Sequence, residues 1–361
     1  MIPLLPESGS GRYIGSRTGI VALTDSQEQL GDAATAPRIL LTGATGFVGS
    51  HVVEACSNAG LRVRALVRSP ERAIRLRNLG ADLVVGSLED APAVAAACRD
   101  VDVVVHMAAL THARTDAEYE AVNVAGTARL LDATLSAEPR AERFVYLSSL
   151  AAVGPCVEGR AVQREDEPRP LTAYGRSKLA GEHVVLEAAD RIETVILRAP
   201  AVYGPGDTDL YHFFRLASWG VIPVPTGPLR RLQLVHVRDL AAALVRAVTA
   251  PRAAGVYHIA EPRMYTWEEV GRLVAAAVGR RARVVRVPAA LLAGAASASE
   301  WAAGLVGRSS IFNRDKAREM LAPGWLCETD SARADLEYEA AIGLADGLRE
   351  TARWYRQEGW L

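Results

Sequence analysis

The sequence predicts an α/β fold: a doubly wound parallel sheet joined to a smaller mixed C-terminal substrate domain. Short apolar runs alternate with helix-length segments as far as residue 200, the pattern of parallel strands covered by helices on both faces. A glycine run, Gly43, Gly46 and Gly49, follows the first of these runs, where a strand must turn sharply into a helix. Beyond residue 200 the alternation ends, and Pro223, Pro225 and Pro228 interrupt the chain.

Each element has its own signal. Arg38 to Leu41 is the first strand, and Thr42 to Gly49 turns it into a helix bearing Val48, Val52, Val53 and Cys56 on one stripe. Val63–Val67, Leu83–Val85 and Val101–Val105 follow as strands separated by helical segments. Between Asp116 and Leu135, the residues Tyr119, Val122, Gly126, Leu130 and Thr134 recur at helical spacing. Arg143–Leu147 is a fifth strand ending at Ser148 and Ser149, and a charged, proline-rich loop then leads to a helix starting near Thr172. Thr194–Leu197 is a sixth strand; Gln233–Val237 and Val256–Ile259 are apolar enough to return to the same sheet. Thr266 to Glu269 forms a capping box, and Leu344, Leu348, Ala352 and Tyr355 mark a final amphipathic helix. The expected organisation is a disordered tail over 1–36, a dinucleotide-binding domain over 37–200 with 233–259 returning to its sheet, and a smaller substrate domain from 201–232 and 260–361.

Composition narrows the functions. With 361 residues, half of them hydrophobic, the chain can bury a large core, and a net charge of −1 offers no footprint for nucleic acid. Cys56, Cys98, Cys156 and Cys327 stand far apart without a CxxC pair, as expected of reduced thiols in a cytoplasmic protein. The histidines show no ligand spacing, so no metal is expected. Met1–Glu7 lacks the basic start and apolar run of a signal peptide. Leu291–Gly307 is apolar but too short and too polar for a membrane span, which needs about 20 residues, and is expected as a lid or core helix in preference to a membrane-surface contact.

Two stretches carry chemistry. Glycines at the start of a helix allow a pyrophosphate to approach backbone N–H groups at the positive end of the helix dipole. The second strand ends Val67-Arg68-Ser69 without the carboxylate that would bind ribose hydroxyls. Arg68, with Ser69 and Arg72 near it, is suited to a 2′-phosphate, which favours NADP(H) over NAD(H). Tyr174 and Lys178 lie one helical turn apart on one face, so an ammonium stands beside a phenol whose free pKa is about 10.

These features together resemble the extended branch of the short-chain dehydrogenase/reductase family. The resemblance runs from Arg38 to the C-terminus on GATGFVGSH (43–51), HMAA (106–109), NVAGT (123–127), LSSLAAVG (147–154), YGRSK (174–178), RAPAVYGPGD (198–207) and VHVRD (235–239). It implies a Rossmann sheet with Tyr174 as acid/base, Lys178 as its electrostatic partner, Ser149 as donor to the reacting oxygen, and Asn123 as a brace. The cofactor would lie along Gly43, Thr45, Gly46, Phe47, Val48 and Gly49, then Arg68, Ser69, Ser87, Leu88, Met107, Ala108 and Ala109, and finally Tyr174, Lys178, Pro200 and Val202. Ser87 stands where relatives commonly carry an adenine-contacting aspartate. Relatives often dimerise through two long helices, here 116–135 and 172–189, where Ala180 and Gly181 are small; a homodimer is the expectation.

Leu150 and Ala151 replace the acidic pair that dehydratases use. Pro200 and Leu232 replace the asparagine and arginine of many sugar-nucleotide members, though Arg230 and Arg231 are adjacent. The pattern is similar to dihydroflavonol reductases and 3β-hydroxysteroid dehydrogenases. Thr111, Ala151 and Tyr203 are expected at the substrate, and Ala201, Leu216, Trp219 and Met264 around it. The expected function is an NAD(P)-dependent dehydrogenase/reductase for a secondary alcohol or ketone of an apolar steroid-, terpenoid- or flavonoid-like substrate. The alternatives are a sugar-nucleotide epimerase with the same Ser/Tyr/Lys site, or a sensor that binds NAD(P) without turnover, for which the complete catalytic set has no use.

Overall fold

The computed structural model describes residues 36–305, 310 and 312–361. The tail expected over 1–36 lies outside them, except for Ala36. Six parallel strands follow the expected order: β1 (Arg38–Thr42), β2 (Arg62–Val67), β3 (Asp82–Val85), β4 (Val103–His106), β5 (Arg143–Ser149) and β6 (Glu193–Ala199). With Gly255–His258 at the far edge they make a seven-stranded sheet ordered 255–258, β6, β5, β4, β1, β2, β3. Sequence order reverses between β1 and β4, which opens a crevice at the carboxyl ends of those strands.

The strands are apolar without alternation because both sheet faces are covered. Ile39 and Leu41 point into one core layer with Val52, Val53, Leu240 and Leu244, while Leu40 points into the other with Val94, Leu130, Phe144 and Val185. The first layer packs under α1 (Phe47–Asn58) and the helix Val237–Thr249. Of the segment expected to return to the sheet, Gly255–His258 lies beside β6, whereas Leu234–His236 pairs with Ala201–Tyr203 outside it.

The helix expected over 116–135 is divided: Asp116–Tyr119, a π-helical turn Glu120–Val124, then Ala125–Ser136. The widened turn coincides with Asn123, and turns of this kind often mark functional positions. Gly181, expected to ease dimer packing, is buried within the chain, where a Cβ would lie 2.3 Å from the Tyr146 hydroxyl.

The C-terminal region has its own core of Phe214, Ile222, Val270, Leu348 and Tyr355, built on Tyr211–Ser218, Trp267–Ala277 and Leu344–Gln357. The capping box forms as expected, with Thr266 Oγ1 accepting from Glu269 N at 3.1 Å and the Glu269 carboxylate accepting from Thr266 N at 2.7 Å. Pro223 and Pro225 do not interrupt a strand. Val221–Pro225 pairs with Arg283–Val287 in a two-stranded sheet, where a missing N–H can face the open edge.

Candidate active site

The glycine loop is shaped by steric need. Gly43 has φ +73°, and a Cβ there would stand 2.7 Å from Ala108 N; a Cβ on Gly49 would stand 2.2 Å from Gly43 O. Gly46 caps α1 with no side-chain hydrogen bond and no acidic residue in the first turn. The helix N-terminus therefore presents its N–H groups to an anion, as the pyrophosphate of a dinucleotide requires.

A cleft of about 870 Å³ runs from this loop across the sheet ends. Of the residues expected at a cofactor, Gly43, Thr45, Gly46, Phe47, Val48, Gly49, Arg68, Ser87, Leu88, Met107, Ala108, Ala109, Pro200 and Val202 all line it. Ser69 does not; it precedes the short 3₁₀ turn Pro70–Ala73, and Arg72 from that turn lines the cleft in its place. Ser87 Oγ accepts from Glu89 N at 3.2 Å. Arg129, which the sequence reading missed, joins Arg68 and Arg72 in the lining, and none of the three has a carboxylate partner among the described residues. Nothing in helical spacing sets Arg129 apart from any other exposed arginine.

At the carboxyl end of β5, Ser149 caps the short helix Leu150–Val153, and its Oγ accepts from Ala151 N at 3.1 Å. Tyr174 lies in the first turn of Ala173–Leu186, which Thr172 caps by accepting from Gly175 N at 3.1 Å. Burial pushes the Tyr174 phenol above its ordinary pKa, and a hydrogen bond with Ser149 draws it back. Lys178 is 2% exposed, and its Nζ donates to Tyr146 Oη at 2.8 Å and to Leu147 O at 2.7 Å. Burial lowers the lysine to about 7, against the pull of Glu182.

Glu182 and its partners were not anticipated. Fully buried, it accepts from Arg198 Nε at 3.0 Å and Nη2 at 2.7 Å and from the Ser148 hydroxyl. The available signal was a carboxylate one turn after Lys178 on a face that must be buried. Asn123 braces the cleft wall without lining it: Oδ1 accepts from Leu110 N at 2.8 Å, and Nδ2 donates to Leu110 O at 3.0 Å and Ser177 Oγ at 2.9 Å. His106 bridges Thr42 Oγ1 at 2.6 Å and Thr127 Oγ1 at 3.0 Å, and burial, aided by Lys178, lowers it to about 3, so it is neutral at pH 7.

The remaining cleft is mixed in polarity. Thr111 and Ala151 line it as expected, with Leu150, Leu232, Trp267, Met320 and Trp325. Lys316 also lines it, held by Glu319 at 3.2 Å, as does Asp207, raised to about 7 by burial while its carboxylate accepts from Asp209 N at 2.8 Å. Several expectations are corrected here. Tyr203 is 1% exposed and packs behind the wall against His236 and Gly347, because the final helix covers it. Leu216, Trp219 and Met264 are not in the lining; Trp219 is 68% exposed on the outer surface. Among the described residues, no cluster of His, Cys, Asp or Glu could hold a metal ion.

The chain belongs to the NAD dependent epimerase/dehydratase family, which residues 39–260 match, and is an enzyme of the extended short-chain dehydrogenase/reductase type. It is 34% identical to a ceramide reductase of Caulobacter vibrioides over 90% of this chain and 96% of that one. It is 28% identical to a UDP-glucose 4-epimerase of Vibrio cholerae, over 91% and 98% of the two chains. The solved structure of MoeE5 in complex with UDP-glucuronic acid and NAD superposes with a TM-score of 0.69 at 26% identity, covering 89% of this chain and 99% of the other.

Proposed function

We propose that the protein is an NADP(H)-preferring reductase or dehydrogenase acting on the ketone or secondary alcohol of a largely apolar substrate. The observation that carries this reading is that, among the described residues, no free cation lines the substrate end of the cleft. Apart from Lys178, Lys316 is the one lysine or arginine lining that end among the described residues, and Glu319 holds it. A sugar nucleotide brings a pyrophosphate whose charges need partners. Arg230, two residues before Leu232, is spent on backbone carbonyls, donating to Leu321 O at 3.1 Å and Thr226 O at 3.2 Å. Leu150 and Ala151 supply no acid or base for elimination, and the similarity to a ceramide reductase points the same way.

The bound nicotinamide would supply or accept a hydride. In the reductive direction Tyr174 gives its proton to the substrate oxygen, while Ser149 holds that oxygen by a hydrogen bond. Lys178, whose charged form Glu182 favours against the cost of burial, stabilises the phenolate that remains when it carries its proton. Asn123 fixes the Leu110 backbone and, through Ser177, the helix that carries Tyr174. Arg68, Arg72 and Arg129, with no acid at the tip of β2, favour a 2′-phosphate and hence NADP(H). The epimerase reading has its support in the Vibrio relative and needs the same Tyr174.

A ligand screen decides between them. Thermal shift and cofactor oxidation are measured with NADPH and NADH against apolar ketones, UDP-glucose and UDP-glucuronic acid. Consumption of NADPH by apolar ketones, with no stabilisation by UDP-sugars, is the expected result. Stabilisation by UDP-sugars alone would overturn the substrate assignment and leave the catalytic set intact.

A further inference from the structure

The helix Ala289–Leu305 bears a single charged residue along its 17 positions, Glu300, whose carboxylate is taken up by Arg314 Nε at 2.9 Å. It packs inward through Leu292 and Ala296 onto the helix Arg314–Leu321. Outward it shows Leu291 at 64% and Trp301 at 70% exposure among exposed alanines. The helix beneath is the wall of the substrate end: Asp315, Lys316 and Met320 line the cleft, and the Asp315 carboxylate accepts from Ala173 N at 3.1 Å, next to Tyr174. The apolar helix is thus the outer layer of the cleft wall.

The segment leading into it is cationic. Arg280, Arg281, Arg283 and Arg286 are exposed, and of these only Arg286 has a carboxylate partner among the described residues, Glu268 at 3.3 Å. Strand alternation puts Arg283 and the 45%-exposed Val285 on the same outward side. Arg283 N donates to Gly220 O at 2.9 Å, which brings the segment alongside the exposed Trp219, over whose ring the Arg215 guanidinium lies at 5.4 Å.

We propose that this band, exposed apolar helix and arginine-rich strand together, docks the enzyme on an anionic lipid bilayer. Tryptophan and leucine side chains enter the interfacial zone, while arginines meet anionic headgroups. Among the described residues no helix is long and apolar enough to cross a membrane, so the contact is superficial. A second copy of this chain is a poorer occupant, because a two-fold interface would set one row of unpaired arginines against its equivalent. The surface stands independently of the substrate assignment, since vesicle binding is measured without substrate or cofactor.

The full chain is sedimented with vesicles of phosphatidylcholine alone and with phosphatidylglycerol added, at low and at raised salt. Binding to the anionic vesicles, weakened by salt, is expected. Trp301→Glu and the double variant Arg281→Glu/Arg283→Glu should each lower the partition constant at least tenfold, with unchanged thermal melting checking the fold. Equal binding to both vesicle types, no binding, or binding insensitive to the arginine variant overturns the proposal. So does a concentration-dependent dimer that Trp301→Glu dissociates in the absence of vesicle binding.

Discussion

At the cofactor end of the cleft one continuous stretch, Gly43–Gly49, has its shape set by backbone that stands close to its Cβ positions. At the substrate end the lining is side chain, drawn from points as distant as Thr111, Leu150, Leu232, Trp267 and Lys316. The first end is rigid by construction, because a loop whose Cβ positions are filled by neighbouring backbone has one available shape. The second is a surface that can change with each side chain while the fold stays the same. The proposed catalytic set, Ser149, Tyr174 and Lys178, lies between them and belongs to both.

The sharpest way to separate the two ends is to remove the group at their junction. Tyr174→Phe keeps the ring and deletes the proton donor, so turnover should fall by roughly 10³-fold while dinucleotide affinity is nearly unchanged. Steady-state rates and cofactor titration measure the two, and retained turnover would refute the acid/base role. The next effect falls on one end alone. Gly49→Val places side-chain atoms where a Cβ already meets Gly43 O at 2.2 Å, so the loop must deform. Dinucleotide binding should weaken by at least about 100-fold, near 3 kcal/mol, as read by fluorescence titration. If binding survives, the loop is not the rigid frame described above.

Lys178 gives a test from stability. Its pKa of about 7 in the folded protein lies below the roughly 10.4 of an unfolded lysine. Between those values the unfolded chain holds the extra proton, so folding stability rises with pH, by up to about 1.4 kcal/mol per unit. Lys178→Met should therefore melt higher than the parent near pH 7.5, with the gap closing toward pH 10, even as turnover falls. A gap that widens with pH would mean that Glu182 keeps the lysine charged throughout. His106 acts on the acid side: neutral when folded down to about 3, it costs stability as pH falls below about 6.5.

The same contrast explains what could be read from the chain. The sheet, the glycine loop and the Tyr174–Lys178 pair follow from local pattern, since each is set within a few residues of itself. Tyr203 suits an apolar pocket by its side chain, but the final helix packs over it through Gly347. Trp219 and Met264 were apolar in a region expected to form a pocket, and composition could not tell an inner face from an outer one. Lys316 and Trp325 reach the cleft by tertiary folding alone. Glu182 was visible as a charge at a core position, and its meaning depended on Arg198 from another strand.

The smallest effect tests whether side-chain recognition at the cofactor end is as readable as its backbone. Arg68 directly follows β2, has no carboxylate partner among the described residues, and lines the cleft with Arg72 and Arg129. It is exposed, so its charge is screened, and two other arginines remain when it is removed. Arg68→Ala should weaken NADP(H) by about tenfold, near 1.4 kcal/mol, and NAD(H) much less. An equal loss for both would mean that Arg68 contacts the shared part of the dinucleotide, and the preference would then have to rest on Arg72 and Arg129. The difference between the two losses is the informative quantity, because a structural effect of the substitution would appear in both.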